Sequence, residues 1–231
     1  MRVNKISLLP VLLLALQKLY GMDIEISGKE LSSVLTLEYN RSFYFCGDIA
    51  ASGAVKLNER YTVKSGFALG MSGINVDIKW FAGAEVALPV RIPFSIGLAY
   101  NYNGLPKYKT HTHSLPLLVS YQGRWAGVYL GTNFRFTNFL NEAPVFEPIL
   151  LFSIYVNFIY NDRVRFGLKT ANFDDFTYGN IGAYFLNLYS TVRLNQKLSL
   201  VNEIEMRQSG SIALSSNFYG FVYRGGVVFS W

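Results

Sequence analysis

The sequence contains a single cysteine, few charged residues and no long hydrophobic run. Charged residues make up 16% of its 231 residues, and the one cysteine, Cys46, cannot form an internal disulfide. No apolar run reaches the roughly 18 residues of a transmembrane helix. The most apolar segment, 149–160, is interrupted by Ser153 and Asn157. Lysine and arginine outnumber acidic residues by 21 to 15 but are scattered singly, which argues against a nucleic-acid partner.

The chain is rich instead in apolar and aromatic residues that alternate with polar ones. Hydrophobic residues make up 51% of the sequence and aromatic residues 16%, which is too apolar for a disordered chain. In the clearest segment, 74–88, every second residue is apolar, and the residues between include Asp77, Lys79 and Glu85. A period of two is that of a β-strand, whose successive side chains point to opposite faces. Similar segments recur from residue 35 to the last residue.

The connections between these segments are of two alternating kinds. Short polar or proline-containing connections lie at 58–60, 89–92, 123–124, 161–163 and 195–197, and longer ones at 103–114, 137–146, 173–180 and 208–216. Short periplasmic turns and longer external loops are typical of a transmembrane β-barrel. The prediction is therefore an all-β, closed antiparallel transmembrane barrel of about twelve strands. Ten or eight strands remain open if residues 41–60 form a loop.

The charged residues of the predicted strands fall on one consistent face. In lipid every backbone polar group must be paired within the protein, so an extended chain has to close into a barrel. A charge at the lipid-facing midplane costs roughly 2–4 kcal/mol, which predicts that the charged face points inward. The alternative is a soluble lipocalin-like or sandwich protein, whose apolar face would point inward. The candidate lumen-lining residues are Lys79, Arg135, Arg165, Lys169, Arg193, Glu203, Glu205, Arg207 and Arg224.

The first residues have the pattern of a secretory signal peptide. Arg2 and Lys5 form a positive segment, and an apolar stretch follows from Ile6 to Leu16. The predicted division is a signal peptide at 1–21 and a single barrel domain at 22–231. A buried or amphipathic first helix is the alternative.

The final strand carries the clearest resemblance to a known class of proteins. Its alternating residues are Tyr223, Gly225, Val227, Phe229 and Trp231. This pattern resembles the terminal strand of bacterial outer-membrane β-barrels, whose last aromatic residue is read by the barrel-assembly machinery. Over residues 30–231 the chain resembles small outer-membrane barrels of spirochaete type, a group from which no catalytic residues can be transferred. The resemblance implies a bacterial outer-membrane location and, as partners, outer-membrane lipid, periplasmic chaperones and the assembly machinery.

Two predicted external loops contain residues with possible chemistry. His111 and His113 share a face at a spacing of two, but no third metal ligand is evident. Outer-membrane lipid hydrolases place a histidine and a serine on one strand face, whereas the spacing here puts Ser114 opposite both histidines. Asp174 and Asp175 form an acidic pair in the other loop. The favoured interpretation is that both carboxylates are solvated, and Ca²⁺ binding or acid–base catalysis are the alternatives. The prediction is no catalytic residue, no cofactor and no metal.

These observations lead to three ranked hypotheses about function. The first is a narrow channel that passes small hydrophilic solutes with a slight preference for anions, because basic residues are in small excess on the inward face. The predicted strand number also resembles that of small channels for acidic oligosaccharides or nucleosides. The second hypothesis is a closed structural barrel whose external loops bind host or matrix molecules. The third is an outer-membrane hydrolase, and the expectation is that the protein is not an enzyme.

Overall fold

The computed structural model describes residues 26–40, 45–72, 75–90, 92–106, 109–140, 143–174, 182, 184–208 and 218–231. The predicted signal peptide at 1–21 lies outside these residues. The twelve strands are β1 (Ile26–Asn40), β2 (Phe45–Leu57), β3 (Tyr61–Ser72), β4 (Asn75–Ala87), β5 (Phe94–Leu105), β6 (Thr110–Gln122), β7 (Ala126–Asn138), β8 (Val145–Tyr160), β9 (Val164–Ala171), β10 (Tyr184–Arg193), β11 (Leu198–Gln208) and β12 (Phe218–Ser230). No helix within the described ranges is long and apolar enough to cross a membrane.

The strands form one closed antiparallel barrel in which every strand pairs with its neighbours in the sequence. The seam between the first and last strands is regular from the pair Glu30 and Ser230 to the pair Asn40 and Gly220. This closure confirms the predicted fold class with twelve strands. The alternatives of ten or eight strands are wrong, because 45–57 forms a complete strand paired on both sides.

The two faces of the wall differ in polarity in the way that a bilayer requires. Outward side chains are large and apolar, and Leu150 and Leu130 are 74% and 53% exposed. Inward positions hold fully buried polar side chains, among them Ser153, Asn187 and Glu205. A soluble barrel would have the opposite arrangement, with polar residues outside, so the soluble alternative is wrong.

At one end of the barrel, tight turns join the strands, and local hydrogen bonds stabilise these turns. The Oδ1 atom of Asn161 accepts hydrogen bonds from the backbone N–H groups of Arg163 and Val164, at 2.9 and 2.7 Å. Asn195 makes the same pair of bonds at the turn before β11. Asparagine oxygens stabilise turns in this way because they replace a missing backbone acceptor. Short turns mark the periplasmic end of such barrels, and the end of β12 lies there too.

At the opposite, external end the strands are longer than the sequence predicted. The segment 103–114 is mostly strand, since β5 continues to Leu105 and β6 begins at Thr110. The segment 137–146 is shortened in the same way by β7 and β8. The predicted loop bounds were wrong because asparagine and threonine interrupt the apolar pattern. Backbone pairing, as between Asn103 and Thr112, continues without an apolar face.

Candidate functional site in the barrel lumen

The chain leaves the barrel wall directly after β9 and turns into the lumen. Asn172 allows this departure because its side-chain amide makes the hydrogen bonds to β8 that the backbone of a continuing strand would make. Its Oδ1 accepts a hydrogen bond from the N–H of Phe152 at 2.8 Å, and its Nδ2 donates to the carbonyl of Leu150 at 2.7 Å. The next two residues, Phe173 and Asp174, are only 1% and 4% exposed. We refer to Asn172–Asp174 as the inward segment.

Phe173 belongs to a packed layer inside the lumen, which it forms with Leu118 and Leu151 and against which Tyr129 and Ile149 pack. Its ring contacts Leu118 and Leu151, which point inward from β6 and β8. Phe81 and Phe185, on the inward faces of β4 and β10, are equally buried. Wall side chains alone fill the interior of a barrel of about eight strands, and the twelve strands here enclose a wider lumen. The inward segment therefore narrows the lumen from inside.

Asp174 enters a buried ion-pair network centred on Arg224. The Arg224 guanidinium lies 3.2 Å from Glu203, 3.2 Å from Glu205 and 3.5 Å from Asp174. Two further bases join the network, whose described members are Lys169, Asp174, Glu203, Glu205, Arg207 and Arg224. These described members are three acids and three bases, so their formal charges cancel.

The position of Asp174 corrects the prediction of a solvated external acidic pair. Asp174 lies inside the barrel because Asn172 directs the chain inward and Arg224 neutralises the carboxylate. Asp175 lies outside the described residues. The sequence signal was an asparagine at the end of a strand, directly before an aromatic and an acidic residue. That signal is a single short motif without repetition, so the alternation of apolar and polar residues does not reveal it.

Other inward charges are also paired within the wall. Lys79 lies 3.3 Å from Asp48, and Arg135 forms an ion pair with Glu147. Arg165 and Arg193 also lie on the inward face, but neither forms an ion pair with an acidic residue of the described chain. The structure thus brings Lys169, Glu203, Glu205, Arg207 and Arg224 into one network and leaves Arg165 and Arg193 apart from it.

Polar cavities lie on the periplasmic side of the packed layer. A cavity of ≈ 510 Å³ at the mouth includes Lys56, Arg60 and Glu85 in its lining. It shares Thr62, Glu85 and Gln122 with a deeper cavity of ≈ 210 Å³ that ends at Phe173. A third cavity of ≈ 160 Å³ shares Gln122 and Tyr129 with the second and is lined by Arg165 and Lys169. Neighbouring cavities with shared lining residues therefore lie between the mouth and the inward segment.

The two histidines lie on β6 rather than in a loop, which corrects the predicted loop site. They occupy the outward face, where Tyr102 is hydrogen-bonded to Nδ1 of His111 at 2.7 Å and Tyr100 to Nδ1 of His113 at 2.6 Å. The indole of Trp80 packs on both tyrosine rings, with centroids 4.8 and 6.0 Å apart. The cluster is an aromatic patch on the outward face near the external end of the barrel, and aromatic girdles are typical of outer-membrane barrels.

Ser114 is separated from both histidines by the barrel wall. It points inward and is buried, as the spacing of two predicted. A nucleophilic serine requires a histidine within hydrogen-bond reach, and this arrangement does not provide one. Across the described ranges, no three histidine, cysteine or acidic side chains are grouped to hold a metal ion.

The last strand presents its apolar face to the membrane. Tyr223, Val227, Phe229 and Trp231 are outward and exposed, with Gly225 between them, and the rings of Phe229 and Trp231 are 5.3 Å apart. Trp231 is joined to Lys29 by two backbone hydrogen bonds. Recognition of this strand by the assembly machinery stays a prediction.

Comparison with known proteins identifies the fold but no sequence family. No family model and no curated protein matches the sequence. The NanC porin has a TM-score of 0.61 at 10% identity, with coverage of 86% of this chain and 98% of that one. The KdgM porin in complex with disordered oligogalacturonate has a TM-score of 0.57 at 11% identity, with coverage of 87% and 99%. Outer membrane phospholipase A from Escherichia coli has a TM-score of 0.50 at 9% identity, with coverage of 87% of this chain and 92% of that one.

These likenesses show the architecture of a bacterial outer-membrane barrel, and the apolar exterior fits that location. Porins and an enzyme both share the architecture, so the fold alone does not identify the activity. The activity has to be argued from the lumen.

Proposed function

We propose that the protein is an outer-membrane channel of narrow bore for small hydrophilic solutes, with a slight preference for anions. The observation that carries this proposal is the series of polar cavities between the periplasmic mouth and Phe173. Two of the structures with the same fold are porins, which supports the same interpretation.

The anion preference follows from which lumen charges are already neutralised. The Arg224 network is balanced, and Lys79 and Arg135 have carboxylate partners. Among the described residues, Arg165 and Arg193 have no ion-pair partner, whereas the inward acid Glu85 is held by Ser95, Ser120 and Gln122. Rings of charged side chains select ions of opposite sign, so these arginines favour anions.

The inward segment is the obstacle to passage. It is held by the side chain of Asn172 on β8, by the packing of Phe173 and by the ion pair of Asp174 with Arg224. The backbone N–H of Asn172 also donates to the carbonyl of Phe152 at 3.1 Å, whereas the packing of Phe173 and the ion pair of Asp174 are side-chain contacts separate from the pairing that closes the barrel. Passage therefore requires the segment to move within an intact wall.

Ion conductance in planar bilayers tests the proposal. The protein is refolded, and heat-modifiable migration on a gel shows that the barrel has formed. We expect discrete current steps and an anion-biased reversal potential in a salt gradient. A folded barrel that gives no steps would rule out the channel, and steps with a cation bias would rule out the preference.

A closed barrel with binding loops is the second candidate function, and the packed layer around Phe173 favours it. It predicts a folded but silent barrel together with external loops that are accessible on intact cells. Protease treatment of intact cells that leaves every external connection uncut would count against it.

Assembly through periplasmic chaperones and the barrel-assembly machinery remains part of the proposal. We expect Trp231→Ala to lower the amount of heat-modifiable barrel in cells while leaving refolding into detergent unchanged, because only the cellular route requires recognition. Equal cellular amounts of the variant and the parent protein would show that Trp231 is not the assembly signal.

A further inference from the structure

We propose that Arg165 is the binding site for the carboxylate of a small monoanionic hydroxy acid. The inference rests on the proposed channel, because the site lies in a lumen cavity that a solute must reach. It adds a specific residue and a ligand class to the general preference for anions.

Arg165 is held in place by a built set of side chains. Its guanidinium carbon lies 4.8 Å from the ring centre of Tyr155 and 5.6 Å from that of Tyr189. Its Nε donates a hydrogen bond to Oδ1 of Asn157 at 2.9 Å, and the Tyr189 hydroxyl donates to the same oxygen at 2.8 Å. Asn157 is fixed in turn by a bond from its Nδ2 to the carbonyl of Arg124 at 2.6 Å. The guanidinium is therefore pre-positioned.

Two glycines leave room for the tyrosine rings beside Arg165. A Cβ atom at Gly127 would lie 2.3 Å from the Tyr155 ring, and one at Gly167 would lie 2.7 Å from the Tyr189 hydroxyl. Real Cβ atoms do not approach other atoms so closely. The two glycine–tyrosine contacts keep the faces of both rings against the guanidinium.

Within the described part of the chain, no carboxylate forms an ion pair with Arg165. The side chains that contact it there are the amide of Asn157 and the two tyrosines, Tyr155 and Tyr189. The nearby Glu203 is already shared by Lys169 and Arg224. A partly buried cation without a counter-charge is unfavourable, and a planar carboxylate matches the guanidinium fork with two parallel hydrogen bonds.

The cavity beside Arg165 determines the size and charge of the ligand. Its volume is ≈ 160 Å³, and its lining includes Gln122, Thr191 and the two tyrosines, which can bond to a ligand hydroxyl. Lys169 and Glu203 line the same cavity as an ion pair, so one carboxylate is enough to balance the remaining charge of Arg165. These features point to a small monocarboxylate with a hydroxyl group rather than a dicarboxylate.

Saturation-transfer NMR with lactate tests the site in the folded barrel in detergent. We expect lactate to bind the parent protein, and lactamide, which has the same shape without the charge, to bind at least tenfold more weakly. Arg165→Gln should weaken lactate binding at least tenfold. Arg163→Gln removes the same charge from the exposed turn before β9, outside this cavity, and should leave binding unchanged.

The outcomes separate this inference from the proposed channel. Lactate binding that depends on Arg165 in a silent barrel would support the site and refute the channel. A conducting barrel in which parent and Arg165→Gln bind lactate equally, or in which the parent binds none, would overturn the site and leave the channel intact. If Arg165→Gln does not give a heat-modifiable barrel, Arg165→Lys decides, because it keeps the charge but loses the fork. Severalfold weaker binding by that variant supports the site, and unchanged binding overturns it.

Discussion

Replacing Arg224 with methionine should destabilise the barrel strongly. The side chain is the common partner of Asp174, Glu203 and Glu205, and Arg224 is 5% exposed. At 3.2 Å and an effective dielectric constant of 20, each closest contact contributes about 5 kcal/mol of gross Coulomb energy. Desolvation of the charges offsets most of this energy. Removal of one member of a buried ion pair leaves the others uncompensated and typically destabilises by about 3–5 kcal/mol.

Equilibrium unfolding in urea, followed by tryptophan fluorescence of the refolded barrel in detergent, measures this effect. We expect Arg224→Met to lower the unfolding free energy by about 3–5 kcal/mol with an unchanged denaturant slope. Arg193→Met is the matched control, because Arg193 is exposed at the periplasmic end and forms no ion pair with the described acidic residues. That control should stay within about 0.5 kcal/mol of the parent.

Asp174→Asn tests whether the inward segment depends on the same network. Combined with Arg224→Met it should show a coupling energy of about 0.5–3 kcal/mol, because the two residues are in direct contact. The argument would be refuted if Arg224→Met were as stable as the Arg193→Met control, or if the two substitutions were strictly additive.

Three further predictions concern the wall, the lumen and the lipid-facing surface. Gly127→Ala should lower the unfolding free energy by about 1–3 kcal/mol, because the new methyl group overlaps the ring of Tyr155. Unfolding in urea measures this change, and an unchanged midpoint would contradict the packing argument. Phe173→Ala should raise single-channel conductance, because the ring closes the inner end of the ≈ 210 Å³ cavity, and conductance equal to the parent would exclude the ring as a constriction. Leu130→Arg should destabilise the barrel in phospholipid vesicles by about 2–4 kcal/mol, because Leu130 points outward from the middle of β7. Equal stability of this variant and the parent would contradict the assignment of the outward face to lipid.

The strand architecture could be predicted from the sequence because it depends on a period. Each transmembrane strand must place apolar residues outward and polar residues inward, so the alternation from Ile74 to Leu88 already specifies which face of β4 meets lipid. The short turns could also be predicted, because residues such as Asn161 and Asn195 accept hydrogen bonds from backbone N–H groups two residues later. Both features are local in the sequence.

The site could be predicted only in part because its contacts are not local. Alternation placed charged residues on the inward face, but it carried no information on which acid meets which base. The partnership of Asp174 and Arg224 joins residues 50 positions apart through a chain segment that leaves the wall. Its cause is the side-chain pairing of Asn172 with β8, which depends on two specific carbonyl and N–H groups. The strand positions of His111 and His113 were missed because backbone pairing extends beyond the apolar pattern.

The balance of charges in the Arg224 network has a consequence for how the barrel responds to ionic strength. Charges exposed to water are screened over about 10 Å in 0.1 M salt, whereas buried pairs are screened much less. The middle of the barrel should therefore keep its structure from dilute to concentrated salt. Any preference for anions depends on arginines that line the lumen cavities, such as Arg165, and should fade as salt rises. Stability and selectivity in the same lumen are thus assigned to separate sets of charges and can change independently.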